Sequence, residues 1–186
     1  MWPDVLVGVG GWLSDEEADF LRGLAAGCAG DIVEIGAYHG RSTIALAWGA
    51  QTRGAVVYSI DPHLEHVQGG ITFTHEDGAI YLRRLIDAGV LDIVKPVMLP
   101  SAQVRPIPSA GLVFIDGDHA YAAVKADFET FAEGARADVI AVLHDSTGAW
   151  EGPTRVAREK AASGWDIVQQ FGYSTVLRRA TGYATE

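Results

Sequence analysis

The chain has 186 residues, and 24 acidic against 14 basic side chains give it a formal charge of −10. That sign argues against a sequence-independent grip on nucleic acid or on an anionic membrane surface, so neither is expected among its partners. An apolar content of 48% and a charged content of 20% describe an ordinary globule, long enough for one α/β domain (1–186) and too short for two. Cys28 is the single cysteine, which excludes an internal disulfide and reads as a buried, inert thiol. No apolar run spans a bilayer, and Met1-Trp2-Pro3-Asp4 lacks the basic start of a signal peptide. The expected compartment is the cytoplasm.

Residues 1–13 are glycine-punctuated and read either as a flap or as a cover over one edge of the domain. Ser14 and Glu17 form a capping box for an amphipathic helix carrying Ala18, Leu21, Leu24 and Ala25, which ends at Gly27 or Gly30; 1–30 is thus an N-terminal flap and helix. Ile32, Val33 and Ile35 then make a short β-branched strand that stops at Gly36. Gly40 follows, then Arg41-Ser42-Thr43 and an apolar segment of helical spacing. Strand, glycine turn and helix form the opening unit of a nucleotide-binding α/β fold, with helix N–H groups free to meet a ligand. The spacing is G-x-x-x-G, unlike the G-x-G-x-x-G of dinucleotide sites. Glu34 at the strand end would repel a pyrophosphate and suits a ligand with positive charge and hydroxyls.

A second strand, Ala55–Ile60, ends at Asp61, where such folds place an acid on ribose hydroxyls. Parallel strands end on one edge, so Asp61 and Glu34 are expected to face one crevice. Pro62 to Glu76 reads as an irregular, mobile loop on the substrate side. Its His63, His66 and His75 fit no compact metal-ligand spacing. A helix over Asp77–Ala88 and a strand over Ile93–Met98 lead to Leu99-Pro100-Ser101-Ala102. Gly111–Ile115 is the fourth strand and runs into Asp116-Gly117-Asp118-His119. Tyr121, Val124, Phe128 and Phe131 repeat at helical spacing, Val139–Leu143 is a fifth strand ending in His144-Asp145-Ser146, and a helix covers Pro153–Ala162. Trp165–Phe171 and Tyr173–Leu177 read as an antiparallel edge hairpin.

Together these segments resemble the class I S-adenosylmethionine-dependent methyltransferases, and most of all the metal-dependent sugar O-methyltransferases. The likeness is carried by Gly11-Trp12-Leu13-Ser14, Val33 to Thr43, Tyr58-Ser59-Ile60-Asp61-Pro62, Phe114 to His119 and Leu143-His144-Asp145-Ser146. It implies a Rossmann-like, seven-stranded, mostly parallel sheet of order 3-2-1-4-5-7-6, with the last hairpin antiparallel and helices on both faces. It also implies S-adenosyl-L-methionine as cofactor. Glu34, Gly36 and Ser42 would surround its methionine part, and Ala37, Tyr38 and Gly40 would be further cofactor-binding residues. Asp61 would hold the ribose, Ser101 and Ala102 would border the adenine, and His63 and Asp116 would be further cofactor-binding residues.

Asp116 and Asp145 close neighbouring strands about 5 Å apart, so both carboxylates can enter one pocket. Two oxygen ligands plus water suit Mg²⁺, and a metal there would lower the pKa of a substrate hydroxyl. By the resemblance, His119 is the general base. His144 stands where many sugar enzymes carry an acid; as a third ligand it would turn the site toward Mn²⁺ or another transition metal, as an alternative it is itself the base with His119 structural, and as a third option Ser146 or Asp118 completes the metal shell. The leading expectation is O-methylation of a saccharide hydroxyl. The runner-up is a catechol or phenol, whose flat walls Trp12, Tyr38, Trp150 and Tyr173 would supply. A non-catalytic cofactor-binding partner subunit is the reading of another class. Acceptor contacts are expected from 1–13, 62–76 or 146–153, or from a second subunit in a homodimer.

Overall fold

The computed structural model of the chain describes residues 1–68 and 70–180, so Gly69 and the last six residues of the expected 1–186 span lie outside the described part. Its centre is β1 (Asp31–Ile35), whose last four residues are all buried, as expected of a parallel strand covered on both faces. Alternation sends Ile32 into a core cluster with α1 (Asp15–Gly27), α2 (Arg41–Ala50) and α3 (His75–Asp87). Val33 and Ile35 enter the opposite cluster, under α4 (Tyr121–Asp127) and α5 (Glu151–Ala161).

Parallel neighbours extend the sheet on both sides of β1. β2 (Val57–Ile60) and β5 (Val94–Val97) lie on one side, β6 (Ala110–Ile115) and β7 (Ile140–Leu143) on the other. An antiparallel hairpin, β8 (Trp165–Phe171) and β9 (Ser174–Arg179), completes seven strands in the order β5-β2-β1-β6-β7-β9-β8. Counted within this sheet alone, that is the expected 3-2-1-4-5-7-6. Among the described residues no helix is long and apolar enough to cross a membrane.

The segment expected to be irregular between Pro62 and Glu76 is partly ordered. β3 (His66–Gln68) and β4 (Ile71–Phe73) form a separate antiparallel hairpin, too short for alternation to announce it in sequence. α3 starts at His75 instead of Asp77, because the Asp77 carboxylate accepts the Thr74 N–H at 2.6 Å and caps the helix one turn back. α5 starts at Glu151 instead of Pro153, placing the proline in the first turn, where its missing N–H costs nothing. Residues 1–13 are fastened down. Leu6, Val9 and Leu13 are buried, the Arg41 guanidinium donates to the carbonyls of Leu13 (2.6 Å) and Leu6 (3.3 Å), and Arg84 donates to that of Gly8 (2.8 Å).

Glu34 corrects an expectation. The alternation that sends Val33 and Ile35 one way sends Glu34 the other, beneath the first turn of α2, where it is fully buried. Its Oε2 accepts the hydroxyls of Thr43 (2.5 Å) and Ser59 (2.7 Å), and burial pushes its pKa from 4.5 to about 7 against those bonds. It is an internal acid and forms no part of an anionic crevice wall. Between pH 4.5 and 7 the folded state keeps a proton that the unfolded chain releases, so stability falls as pH rises through that window. Glu34→Gln should flatten this decline, worth roughly 3 kcal/mol, in urea unfolding compared at pH 5 and pH 8.

Candidate active site

The tips of β5, β2, β1, β6 and β7 open into a cavity of about 780 Å³, a volume suited to a cofactor together with a small acceptor. Gly36, Ala37, Tyr38, Ser42, Asp61, His63, Ser101, Ala102 and Asp116 line it, as do His119, His144 and Asp145. Glu34 and Gly40 do not reach its wall. Gly40 caps α2 with a φ of 87°, and an added Cβ there would meet the Tyr81 ring at 3.1 Å, so its role is to close the turn.

Among the described residues, the three non-glycine positions with left-handed backbone are Tyr38 (φ 45°), His63 (φ 46°) and Asp145 (φ 53°). All three line this cavity. Such conformations persist where the surroundings over-determine them, and they gather at functional sites. Here the surroundings are visible. Asp61 Oδ2 accepts the N–H groups of Ala37 (2.8 Å) and Tyr38 (3.0 Å), while Oδ1 accepts that of His63 (2.9 Å). The His63 ring closes the circuit through Nε2, 2.9 Å from the Tyr38 carbonyl. Asp61 therefore shapes the loops after β1 and β2 as well as standing where a ribose acceptor was expected.

At the other end, Asp116 and Asp145 stand beside two histidines. His144 Nδ1 lies 3.1 Å from Asp116 Oδ1 and 3.5 Å from Asp145 Oδ2, and His119 Nε2 lies 3.3 Å from Asp145 Oδ2. Burial opposes a charge on His144, yet hydrogen bonds and charge from the two aspartates outweigh it and raise its pKa to about 10. Asp116 is held below the usual carboxylate range because His119 and His144 outweigh the effect of its burial. The ligand atoms of Asp116, His144 and Asp145 lie within 4.8 Å of one another, and this two-carboxylate, one-imidazole set fits a divalent transition ion such as Mn²⁺ better than Mg²⁺.

Glu17 belongs to this end as well, although its sequence position marked it only as a helix cap. The cap is real, with Ser14 N to Glu17 Oε2 at 3.1 Å. Its Oε1 also accepts the Tyr173 N–H at 2.9 Å and lies 3.6 Å from His144 Nε2, both side chains being nearly inaccessible. Gly172 admits this contact, since a Cβ there would lie 2.2 Å from Glu17 Oε1. Nothing in the local sequence signals a link between residue 17 and the hairpin turn 156 residues later.

Aromatic walls complete the cavity. Trp12 lies 5.0 Å from Tyr38 and 6.4 Å from Phe73, ring centre to ring centre, and Trp150 lies 4.5 Å from His119. Trp12, Tyr38, Trp150 and Tyr173 were expected as walls, and all four line the cavity. The β3–β4 hairpin adds Ile71 and Phe73.

The family model described as a methyltransferase domain (Methyltransf_24) matches residues 33–146, from β1 through both aspartate-bearing strand ends. The chain belongs to this methyltransferase family. Solved structures of similar fold include cofactor-bound Rv0187 from MTB, with 22% identity and a TM-score of 0.69 over 91% of this chain and 83% of that one. An O-methyltransferase from Bacillus cereus in complex with SAH has 19% identity and a TM-score of 0.69, over 94% and 87% of the two chains. CalS11, a TDP-rhamnose 3'-O-methyltransferase of calicheamicin biosynthesis, has 16% identity and a TM-score of 0.62, over 95% and 86%.

In Asp61→Ala the Ala37, Tyr38 and His63 amides lose a charged acceptor. Hydrogen exchange at Ala37 and Tyr38 should accelerate by about 10- to 100-fold while the amides of Ile32 and Val33 keep their protection. Unchanged exchange at 37 and 38 would remove Asp61 from its loop-shaping role.

Proposed function

We propose that this methyltransferase moves the methyl group of S-adenosyl-L-methionine to a hydroxyl of a small acceptor, with a saccharide as the leading acceptor class. The observation that carries the reading is the pairing of Asp116 and Asp145 with His119 at one end of a cavity whose other end holds Asp61 and Ser101. S-Adenosyl-L-methionine, when bound, supplies a sulfonium-activated methyl group, and Asp61, with three backbone N–H groups already on it, retains an acceptor site for one ribose hydroxyl. A divalent ion held by Asp116, Asp145 and His144 would lower the pKa of an acceptor hydroxyl.

Within this scheme His119 is the general base. It lines the cavity with 18% of its side chain accessible, and its Nε2 faces Asp145, a partner for the imidazolium formed as it takes the acceptor proton. His144 is the poorer base. It is 3% exposed, and Asp116, Asp145 and Glu17 take up its two ring nitrogens. The donor would supply the electrophilic methyl carbon for the acceptor oxygen and keep its sulfur as a neutral thioether. The chain contributes alignment and exclusion of water, for which Trp12, Tyr38 and Trp150 are placed.

The saccharide class draws support from the structural likeness to the TDP-rhamnose enzyme. A catechol or other phenol is the second reading, favoured by the Trp12–Tyr38–Phe73 cluster and by Trp150 against His119.

Calorimetric titration with S-adenosylhomocysteine should give saturable one-site binding, and its absence would remove the methyl-donor reading. Acceptor turnover, measured over a panel of nucleotide sugars and catechols, should fall with EDTA and recover better with Mn²⁺ than with Mg²⁺. His119→Ala should lower kcat by about 10²- to 10⁴-fold while leaving S-adenosylhomocysteine affinity intact. Full turnover in that variant would transfer the base role elsewhere.

A further inference from the structure

Glu17 does more than cap α1. A capping box accepts glutamine as readily as glutamate, because it draws on one side-chain oxygen. Here both oxygens are engaged. Oε2 accepts the Ser14 N–H at 3.1 Å, and Oε1 accepts the Tyr173 N–H at 2.9 Å. The side chain is buried, and among the described residues the one basic group within ion-pair reach is His144. A glutamine would cap equally and would avoid burying a charge, so the cap alone does not account for a carboxylate at this position. The hairpin turn is shaped around it as well: a Cβ on Gly172 would come within 2.2 Å of Oε1. Glu17 and Gly172 both lie outside the span 33–146 that matches the family model.

What Oε1 faces is the far side of His144. Nε2 of that ring lies 3.6 Å away, beyond hydrogen-bond range, and is buried with no other partner. The opposite nitrogen, Nδ1, lies 3.1 Å from Asp116 Oδ1 and 3.5 Å from Asp145 Oδ2. An imidazole binds a metal through one nitrogen and keeps its proton on the other, and the group beside the second nitrogen sets which is which. An ionised carboxylate only accepts, so Glu17 favours the proton on Nε2 and leaves Nδ1 to the side of the two aspartates. The same oxygen fixes the backbone of Tyr173, whose carbonyl accepts the Ser146 N–H at 3.0 Å. The hairpin turn is thus tied both to α1 and to the β7 tip that carries His144.

We propose that Glu17 is a positioning residue for the metal site: it holds the ring proton of His144 on Nε2 and so presents Nδ1, beside Asp116 and Asp145, to a divalent ion. The inference rests on the metal reading given above. Glu17 itself lies off the cavity wall and acts only through His144. It gives the N-terminal helix, which holds none of the cavity's own ligand groups, a part in the chemistry at the far end of the sheet.

The first test is Mn²⁺ binding, followed by electron paramagnetic resonance. Glu17→Gln should weaken Mn²⁺ by about 10- to 100-fold, the range for loss of a partner behind a ligating histidine, while S-adenosylhomocysteine affinity by calorimetry stays unchanged. Ser14→Ala removes the hydroxyl that accepts the Glu17 N–H in the same capping box, and should leave Mn²⁺ affinity as it is. Unaltered Mn²⁺ affinity in Glu17→Gln would make Glu17 a cap only and overturn the proposal, as would an equal loss in Ser14→Ala. The second test needs no variant, and decides should Glu17→Gln not fold. In nitrogen NMR spectra of the histidine rings, titration of the unaltered protein with Zn²⁺, a diamagnetic probe, should move the His144 Nδ1 resonance while Nε2 keeps its proton. Metal capture by Nε2 would overturn the inference. Failure to bind either ion would remove the metal reading and this inference with it, a result distinct from binding that ignores Glu17.

Discussion

One carboxylate holds the site in shape. Asp61, at the tip of β2, accepts three backbone N–H groups from two different loops, and those loops contain two of the three left-handed non-glycine residues. Each charged-acceptor bond is worth about 1.5–3 kcal/mol, comparable to the 1–3 kcal/mol that such a backbone conformation costs. The loops after β1 and β2 can thus keep Tyr38 and His63 on the cavity wall without help from a ligand. Parallel pairing makes this reach possible, since it brings the ends of β1 and β2 to the same edge of the sheet.

The opposite end of the cavity depends on charge balance. Asp116 and Asp145 are brought together by the pairing of β6 with β7, and two carboxylates so close require a positive neighbour. His144 supplies it, and Glu17 lies against its far nitrogen. The same arrangement would serve a metal-bound imidazole, because a ligating histidine ordinarily turns its other N–H toward a carboxylate. The N-terminal helix and the terminal hairpin thereby meet behind the β7 tip, and Gly172 keeps the room they need.

Much of this was legible before any coordinates. The β-branched runs and the glycine turn announce an α/β domain, and the seven strands stand in the order that the family resemblance implies. Errors fell where local pattern carries little information. The β3–β4 hairpin has three residues per strand, too few for alternation to register, and two helices start earlier, α3 because the Thr74–Asp77 capping contacts extend it and α5 because its proline is tolerated in the first turn. Glu34 was misplaced for a different reason. Its neighbours on both sides in the chain are apolar, so composition could not say which face of the strand it took, and the packing of Thr43 and Ser59 settles that it points inward, away from the cavity.

By itself the sequence determined the order of strands and helices, the gathering of Asp61, Asp116, His119 and Asp145 at one edge, and the resemblance those residues carry. These follow from short-range pattern and from the rule that parallel strands end together. Only the tertiary structure decided that Glu34 is an internal acid and that Glu17 backs His144. Each of these is a contact between elements distant in the chain, or a choice of face within one. Local propensity does not encode such choices; they are fixed when the two faces of the sheet are covered and distant elements pack together.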